Sequence, residues 1–310
     1  VIHGNHPFST VDEEHFKKML IELNSNYSPL SRTTLNSNIQ KLFKEKQKEV
    51  IDILKTVKNK ISVTFDFWTS VTNKPYVVVT AHFISNSTLQ SIILDFDLIP
   101  YPHKSENVLD IIQDIFDLYS LKKKIISITT DNEKANVKCL QLLLLFNENY
   151  EDLVHTRCFA HVLNLAVKKG LQEINDPVSS VSKLVNQINF SGKKKQTYFE
   201  ACTTLNMPQL ALLKEIDIRW NSTYLMLKRA FEMKDVLNYL CQNNTDFQRY
   251  LIEDSKWNQV KLLIDFLLPF YDATLLLSKS RYPSIYYVIP ILDILINETS
   301  NVETNDDLVR

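Results

Sequence analysis

The sequence predicts an α/β fold in which a mixed β-sheet is preceded by a helical segment and followed by an all-helical region. Two observations predict the sheet. Between residues 61 and 99, three runs rich in β-branched and aromatic residues are separated by short polar turns. Beyond residue 104, apolar residues recur with helical spacing, and these segments alternate with two more strand-like runs. The predicted order of elements is β-β-β-α-β-α-β-α.

Composition limits the classes of protein to which this chain can belong. With 310 residues, 45% of them hydrophobic, it can bury large cores in two or three domains. The formal net charge of −1 gives no global basic field, so any contact with nucleic acid must come from local patches. The three glycines, Gly4, Gly170 and Gly192, are too widely separated for glycine-rich phosphate loops, which excludes nucleotide-cofactor enzymes of those types.

Residues 1–58 are predicted to form an N-terminal helical segment. Thr10 is placed as an N-cap before an acidic first turn, and a helix follows from His15 to Leu23. From Leu35 to Lys58 the apolar positions follow a 3.6-residue period, which indicates a second helix. The chain begins without Met and without an apolar signal-peptide core, so we expect it to be an internal portion of a longer protein.

The sheet region is assigned to residues 59–175. Its first three strands are predicted as an antiparallel meander, because only short polar turns separate them. The full order on a mixed sheet is the topology of the ribonuclease H-like fold, in which the first strand is central and the fourth lies beside it in parallel. The predicted strands are 61–68, 76–84, 89–99, 124–130 and 154–159, and the predicted helices are 104–121, 132–146 and 160–171.

Residues 176–310 are predicted to form a helical insertion domain that is truncated at its C-terminal end. Prolines at 177, 208, 269, 283 and 290 are expected to separate the helices. The longest apolar stretches are interrupted by charged residues or proline and fall short of the roughly 20 residues needed to cross a bilayer. No membrane segment is predicted.

Two aspartates stand at the ends of strand-like runs and are the leading functional candidates. Asp66 lies within Ser62-Val-Thr-Phe-Asp-Phe-Trp-Thr-Ser70, and Asp131 closes Ile125-Ile-Ser-Ile-Thr-Thr-Asp131. The alternative for each is a turn residue whose side chain bonds to its own backbone. Asp66 favours function because it lies inside an apolar, aromatic run, where an ionised carboxylate is costly unless it is paired or metal-bound. In the predicted topology the two aspartates face each other across adjacent strands.

Cysteine spacing predicts reduced thiols, because Cys139, Cys158, Cys202 and Cys241 show no paired spacing. Cys158 and His161 are spaced like half of a zinc site. A tetrahedral site needs a second pair of ligands, which the sequence does not offer, so structural zinc is rejected.

Basic patches are the remaining candidates for contact with nucleic acid. They are Lys122–Lys124, Lys193–Lys195 and the stretch Lys41–Lys48. The alternative for each is a solvated helix face or loop.

Four blocks of sequence are informative together: Thr64-Phe-Asp-Phe-Trp-Thr-Ser70, Thr129-Thr-Asp-Asn-Glu-Lys-Ala-Asn136, Arg157-Cys-Phe-Ala-His-Val-Leu-Asn-Leu165 and Asp217-Ile-Arg-Trp-Asn-Ser-Thr-Tyr-Leu-Met-Leu-Lys-Arg229. In this order they resemble hAT-family DNA transposases and the BED-type zinc-finger proteins derived from them. Segments 7–16 and 24–35 also resemble the family, so the similarity covers nearly the whole chain. Four ordered blocks are far more specific than any single motif.

The resemblance implies a site and its partners. Asp66 and Asp131 would be two of three carboxylates that bind Mg²⁺ or Mn²⁺ for in-line attack on DNA phosphate. Trp220 would stack on a flipped base of the transposon end and Arg219 would hold phosphate, although a core role for Trp220 is an equal alternative. Cys158 and His161 are expected to be positioning residues near DNA. The resemblance also implies a nuclear protein and, at full length, a homo-oligomer.

The chain also departs from the family. The third carboxylate of the family lies beyond the helical insertion, on a helix that returns to the sheet. This chain is expected to stop inside the insertion. Glu298 and Glu303 fall within the insertion, so neither is assigned a catalytic role. The upstream BED finger and the downstream dimerisation segment are expected to lie outside these residues, and full activity is not expected from them alone.

Three functions remain open. The first is the core of a hAT-type transposase that cuts and joins DNA through Asp66 and Asp131. The second is a domesticated DNA-binding or interaction protein that keeps the fold without catalysis. The third is a host nuclease of the ribonuclease H type, which the long helical region and the Arg219-Trp220 pair disfavour.

Overall fold

The computed structural model describes residues 4, 6–101, 105–145, 153–216, 220–278 and 284–302. The chain divides into two compact units, Val1–Thr156 and Arg157–Arg310. The first unit contains a β-sheet with helices, and the described part of the second is helical. The sequence places a domain boundary at residue 175, whereas the division into units falls at the end of the last strand.

The first unit opens with helices, as the sequence predicts for residues 1–58. A 3₁₀ helix, Phe8–Asp12, precedes α1 (Glu14–Leu23) and α2 (Arg32–Thr56). The Oγ of Ser31 accepts a hydrogen bond from the backbone N–H of Thr34 at 3.1 Å and so caps the N-terminus of α2.

Five strands form one sheet in the order β3-β2-β1-β4-β5. β1 pairs with β2 and β2 with β3 in antiparallel fashion, which confirms the predicted meander. β1 also pairs in parallel with β4, so the first strand is central and the fourth lies beside it, as the ribonuclease H-like topology requires. The strands are β1 (Ile61–Thr69), β2 (Pro75–Ser85), β3 (Thr88–Leu98), β4 (Ile125–Thr130) and β5 (Val154–Arg157).

One face of the sheet is buried against helices of the same unit. The helices α3 (Ser105–Leu118) and α4 (Lys134–Leu145) precede and follow β4. Their inward residues form one apolar cluster with alternate residues of β1 and β2. The Oη of Tyr119 donates to the carbonyl oxygen of Leu94 at 2.7 Å, which satisfies the one polar atom of a side chain that is 3% exposed. The fold class predicted from the sequence is confirmed.

The second unit packs its helices around a separate apolar core. The largest aromatic side chains in that core are each at most 2% exposed: Trp220, Trp257, Tyr198 and Tyr224. The Nε1 of Trp257 donates to Oδ1 of Asn238 at 3.0 Å. The helices are α5 (Phe159–Glu173), α6 (Asn175–Ile188), α7 (Gly192–Thr204), α8 (Trp220–Glu232), α9 (Lys234–Asn243), α10 (Asp254–Leu277) and α11 (Val288–Val302).

Prolines separate the helices less often than the sequence suggests. Pro177 and Pro290 lie in the first turns of α6 and α11, where a missing N–H costs nothing. Pro269 lies inside α10, so the prediction that it ends a helix is wrong. Burial of apolar residues on both sides of Pro269, such as Leu263 and Ala273, holds the helix together across it. No helix in the described ranges is both long enough and apolar enough to cross a bilayer.

The four cysteines are free thiols. Burial raises the pKa of the Cys139 thiol to about 12 and that of Cys241 to about 11. Both thiols therefore remain protonated near neutral pH and behave as small apolar core residues.

Lys124 caps the C-terminal end of α2. Its Nζ donates to the carbonyl oxygens of Leu54, Lys55 and Val57 at 2.7, 3.1 and 3.0 Å. A cation at this end of a helix satisfies carbonyl groups that lack an intrahelical partner and opposes the helix dipole. Lys122, two residues earlier, forms an ion pair with Asp117 at 2.5 Å. Two of the three lysines in the run 122–124 therefore have structural roles.

We predict that Lys124→Met destabilises the first unit by about 2 kcal/mol, because one substitution removes a charged donor from three carbonyl oxygens. Equilibrium urea unfolding followed by circular dichroism measures the loss. Lys123→Met is the matched control, because its side chain is exposed at the neighbouring position, and a change within about 0.5 kcal/mol is expected for it. Equal effects of the two substitutions would contradict the capping role.

Candidate active site

Asp66 lies on β1, on the sheet face opposite the apolar core. Its neighbour Phe65 is 2% exposed and packs in the core, whereas the Asp66 side chain points to the other face and is exposed. The expectation that Asp66 is enclosed by its apolar neighbours is therefore wrong. Successive side chains of a strand alternate between faces, so a charge between two phenylalanines need not be buried.

Asp131 directly follows the last residue of β4 and is half-buried. Its Oδ1 accepts the backbone N–H of Glu133 at 3.0 Å, which is the turn contact that the sequence offers as the alternative to function. The same Oδ1 also accepts a hydrogen bond from Nδ2 of Asn136. The turn alternative is thus present in the structure, but it occupies only one of the two carboxylate oxygens.

The parallel register of β1 and β4 brings the two aspartates to one level of the sheet. Thr64 of β1 is aligned with Thr129 of β4. Asp66 and Asp131 each lie two residues beyond that pair, so they occupy matching positions at the edge where the parallel pairing of β1 with β4 ends, although β1 itself continues to Thr69. Ligand sites in sheets with parallel strands form at this edge.

Polar side chains line the sheet face that carries Asp66. Oγ1 of Thr64 and Nε2 of His82 lie 3.1 Å apart, and Oγ of Ser127 donates to Oγ of Ser62 at 2.8 Å. Burial lowers the pKa of His82, so this imidazole is neutral at physiological pH. His82 therefore adds a hydrogen-bonding group but no positive charge to this face.

Three aromatic rings form a cluster on the same face, close in register to Asp66. Trp68, Tyr76 and Phe96 have ring centroids 5.2 to 5.9 Å apart in all three pairings. Trp68 is 39% exposed and Phe96 is 55% exposed. No local sequence pattern reveals this cluster, because its members come from three different strands. The pairing Asp66–Val78–Phe96 places Phe96 at the same level of the sheet as Asp66, two strands away.

The chemistry of these side chains fits a hard divalent cation. Asp66 and Asp131 supply carboxylate oxygens, which Mg²⁺ and Mn²⁺ prefer. Two side-chain oxygens next to Asp131, Oδ1 of Asn132 and Oδ1 of Asn136, are buried without a hydrogen-bond partner among the described residues. Among all the residues that the structure describes, no cluster of three or more Asp, Glu, His or Cys side chains could hold a metal ion.

Cys158 and His161 lie at the start of α5, in the second unit. Cys158 is the N-cap residue of this helix, and its side chain makes no capping hydrogen bond. Both side chains are half-buried. Their expected role near DNA stays a prediction.

Trp220 is packed in the core of the second unit. It is 1% exposed, and its ring makes edge contacts with Tyr224 and Tyr271 at centroid distances of 6.4 and 6.5 Å. Its backbone N–H donates to Oδ1 of Asn164 at 3.4 Å. In this structure Trp220 is therefore a core residue, which is one of the two alternatives that the sequence leaves open. Its ring could stack on a DNA base only if it first left the core. Arg219 lies outside the described residues.

A cavity of about 510 Å³ adjoins Trp220 within the second unit. Its lining combines apolar side chains with Lys168, Gln172 and Glu215. Glu215 accepts a hydrogen bond from Oγ1 of Thr223 at 2.7 Å. Nε1 of Trp220 is buried and has no hydrogen-bond partner within the described ranges.

Some lysines of the other two basic patches interact with neighbouring side chains, and others are exposed to solvent. Lys194 lies over the ring of Phe190, with its Nζ 5.3 Å from the centroid. Lys46 pairs with Glu49 at 2.8 Å. Lys41 and Lys44 are exposed on α2, the helix that carries Lys46, so part of the Lys41–Lys48 patch is the solvated helix face considered as the alternative to nucleic-acid binding.

Of the late acidic residues, Glu298 is exposed on α11, and Glu303 lies outside the described residues.

Comparison with known proteins identifies two adjoining domains. Residues 64–154 match the ZBED1 RNase-like domain, and residues 156–266 match the ZBED1 RNase-like helical domain. The boundary between these matches lies close to the division of the structure into units at 156 and 157.

Curated relatives include transposases and BED zinc-finger proteins. The chain is 28% identical to the AC transposase of Zea mays, over 91% of this chain and 36% of that protein. It is 26% identical to the AC9 transposase of Zea mays, over 91% of this chain and 38% of that protein. It is 21% identical to zinc finger BED domain-containing protein RICESLEEPER 2 of Oryza sativa subsp. japonica, over 92% of this chain and 40% of that protein. The chain thus spans well under half the length of these relatives.

We predict that Trp220→Ala destabilises the second unit by about 3–5 kcal/mol, because it removes a fully packed aromatic side chain. Equilibrium urea unfolding measures the change. Phe190→Ala is the matched control in the same unit, since its ring is 78% exposed, and a loss of about 1 kcal/mol or less is expected for it. Unchanged stability of the Trp220 variant would instead favour a ring held ready for a ligand.

Proposed function

Because this chain belongs to the hAT family of transposase-derived proteins, we propose that it is the DNA-binding core of a hAT-type transposase. Within the longer protein, this core carries out cut-and-paste phosphoryl transfer on transposon ends. The observation that carries the proposal is the parallel register of β1 and β4, which aligns Thr64 with Thr129 and so puts Asp66 and Asp131 at matching positions two residues further along.

Asp66 and Asp131 are the residues that we propose hold Mg²⁺ or Mn²⁺. A bound divalent ion supplies Lewis-acid stabilisation of the phosphate and activates an attacking water or hydroxyl. The protein contributes orientation. Oδ1 of Asp131 is occupied by donors from Glu133 and Asn136, whereas Oδ2 accepts no hydrogen bond in the described part of the chain.

Two surfaces of the first unit support the proposal that the protein binds DNA. The cluster of Trp68, Tyr76 and Phe96 offers aromatic rings for base stacking beside Asp66. The exposed lysines of α2 supply local positive charge for phosphates, which a chain of net charge −1 needs. Arg219 as a phosphate contact and Cys158 and His161 as positioning residues complete the proposed set.

Two further properties belong to the proposal for the whole protein. A transposase acts on chromosomal DNA, so we place the protein in the nucleus. Two transposon ends must be processed together, which favours a homo-oligomer in the full-length protein.

A second candidate function is a domesticated DNA-binding protein without catalysis. It is favoured by the described residues, which bring no third acidic, histidine or cysteine side chain to Asp66 and Asp131. Several curated relatives carry the name of a BED zinc-finger protein rather than of a transposase. This alternative expects DNA binding without metal-dependent strand cleavage.

We predict that Asp66→Asn or Asp131→Asn in the full-length protein lowers Mn²⁺-dependent nicking of transposon-end DNA by about a hundredfold or more. This is the scale expected when a group that stabilises transition-state charge is lost. The measurement is the initial rate of nicking on a labelled duplex. Asp110→Asn, an exposed change on α3, is the control and is expected to nick at the wild-type rate. Wild-type rates for both site variants would refute the catalytic proposal, and DNA binding without nicking by the wild type would establish the alternative.

We predict that Trp68→Ala weakens binding of a single-stranded oligonucleotide about tenfold, because one stacked base contributes about 1–3 kcal/mol. Fluorescence anisotropy with a labelled oligonucleotide measures Kd. The control is Phe8→Ala, which removes another partly exposed aromatic side chain, outside the proposed DNA-binding surfaces, and is expected to leave Kd unchanged. An equal loss in both variants would show that the cluster makes no special contribution.

A further inference from the structure

Asn136 is a buried polar side chain whose position the proposed chemistry does not yet explain. It lies in the first turn of α4 and is 0% exposed. Its Nδ2 donates to Oδ1 of Asp131, whereas its own Oδ1 is buried and has no hydrogen-bond partner among the described residues. Asn136 therefore satisfies the carboxylate and leaves its own acceptor unsatisfied.

This arrangement is unfavourable for stability alone. A buried acceptor without a donor loses its hydration without compensation. Rotating the amide by half a turn would not help, because its oxygen would then face the Asp131 carboxylate and two acceptors would repel. An apolar side chain at this position would avoid the unsatisfied oxygen. Buried groups of this kind in a folded protein call for an explanation beyond packing.

The explanation that fits is the orientation of Asp131. Oδ1 of Asp131 receives two donors, the backbone N–H of Glu133 and Nδ2 of Asn136. Two donors on one oxygen fix the rotation of the carboxylate and leave the other oxygen, Oδ2, with no hydrogen bond in the described ranges. The main chain is held as well, because Oγ1 of Thr130 donates to the Asp131 carbonyl oxygen at 2.9 Å.

We infer that Asn136 is a positioning residue that holds the Asp131 carboxylate so that Oδ2 is presented to the divalent cation. The inference rests on the proposed metal role of Asp131 and deepens it. Outer partners that orient a ligating carboxylate commonly affect metal affinity by about 10- to 100-fold when they are removed. Asn136 touches neither DNA nor metal in this assignment and acts only through Asp131.

The test compares Asn136→Ala with Leu140→Ala in the 310-residue chain. Leu140 lies one helical turn further along α4, is 2% exposed and belongs to the apolar core. We expect Asn136→Ala to weaken Mn²⁺ binding about tenfold, with a metal-free Tm close to that of the wild type, because the unsatisfied oxygen is removed together with the hydrogen bond. Leu140→Ala is expected to lower Tm and leave the Mn²⁺ Kd unchanged. Isothermal titration with Mn²⁺ and thermal unfolding supply the two readouts.

A crystal structure of metal-free Asn136→Ala separates the inference from the proposed function. The inference expects the Asp131 side chain to adopt more than one rotamer once its donor is lost. A single unchanged rotamer, or a fall in Tm like that of Leu140→Ala with an unchanged Kd, would overturn it. If the rotamer changes but the wild type and Asp131→Asn bind Mn²⁺ equally, the positioning role stands and the metal function of Asp131 fails.

Discussion

The parallel pairing of β1 with β4 is the constraint on which the site in the first unit depends. Parallel neighbours cannot be joined by a tight turn, and here the chain between them contains β2, β3 and α3. The pairing brings Thr64 beside Thr129 and thereby sets Asp66 and Asp131 at one level. The pairing also makes the buried face of the sheet continuous from the antiparallel strands to β4, because Val63 is aligned with Ile128 and both are fully buried. The same contact therefore supports both the core and the candidate site.

Stability and function compete at the end of β4. A turn there needs only an acceptor for one backbone N–H, which Asp131 provides through Glu133. The buried amide of Asn136 is not needed for the turn, and its own oxygen has no hydrogen-bond partner among the described residues. Proteins retain such groups where orientation matters more than stability. The turn alternative and the metal hypothesis for Asp131 are accordingly compatible, since they use different oxygens.

Most of the fold in the first unit was predictable because its strands alternate regularly and short polar turns separate them. The strand that contains Asp66 shows where this reasoning fails. The sequence around Asp66 is apolar, but the side chains alternate between faces, and only the pairing of strands tells which face is covered. The aromatic cluster around Trp68 and the contact from Asn136 to Asp131 arise from three-dimensional pairing, so no local pattern shows them. For Trp220 the sequence could not decide between two roles. An aromatic residue in a family motif looks the same in the sequence whether it packs in the core or binds a DNA base.

The Lys124 contact has a consequence for the order in which the chain folds. Its hydrogen bond to the Leu54 carbonyl oxygen joins residues 70 positions apart. The C-terminal turn of α2 can therefore gain its cap only after the chain through β3 and α3 has closed this long loop, which costs conformational entropy. Until then α2 relies on helix propensity and its Ser31 cap, and its last turn frays. The end of α2 is therefore expected to become ordered when this loop closes and brings the start of β4 beside β1.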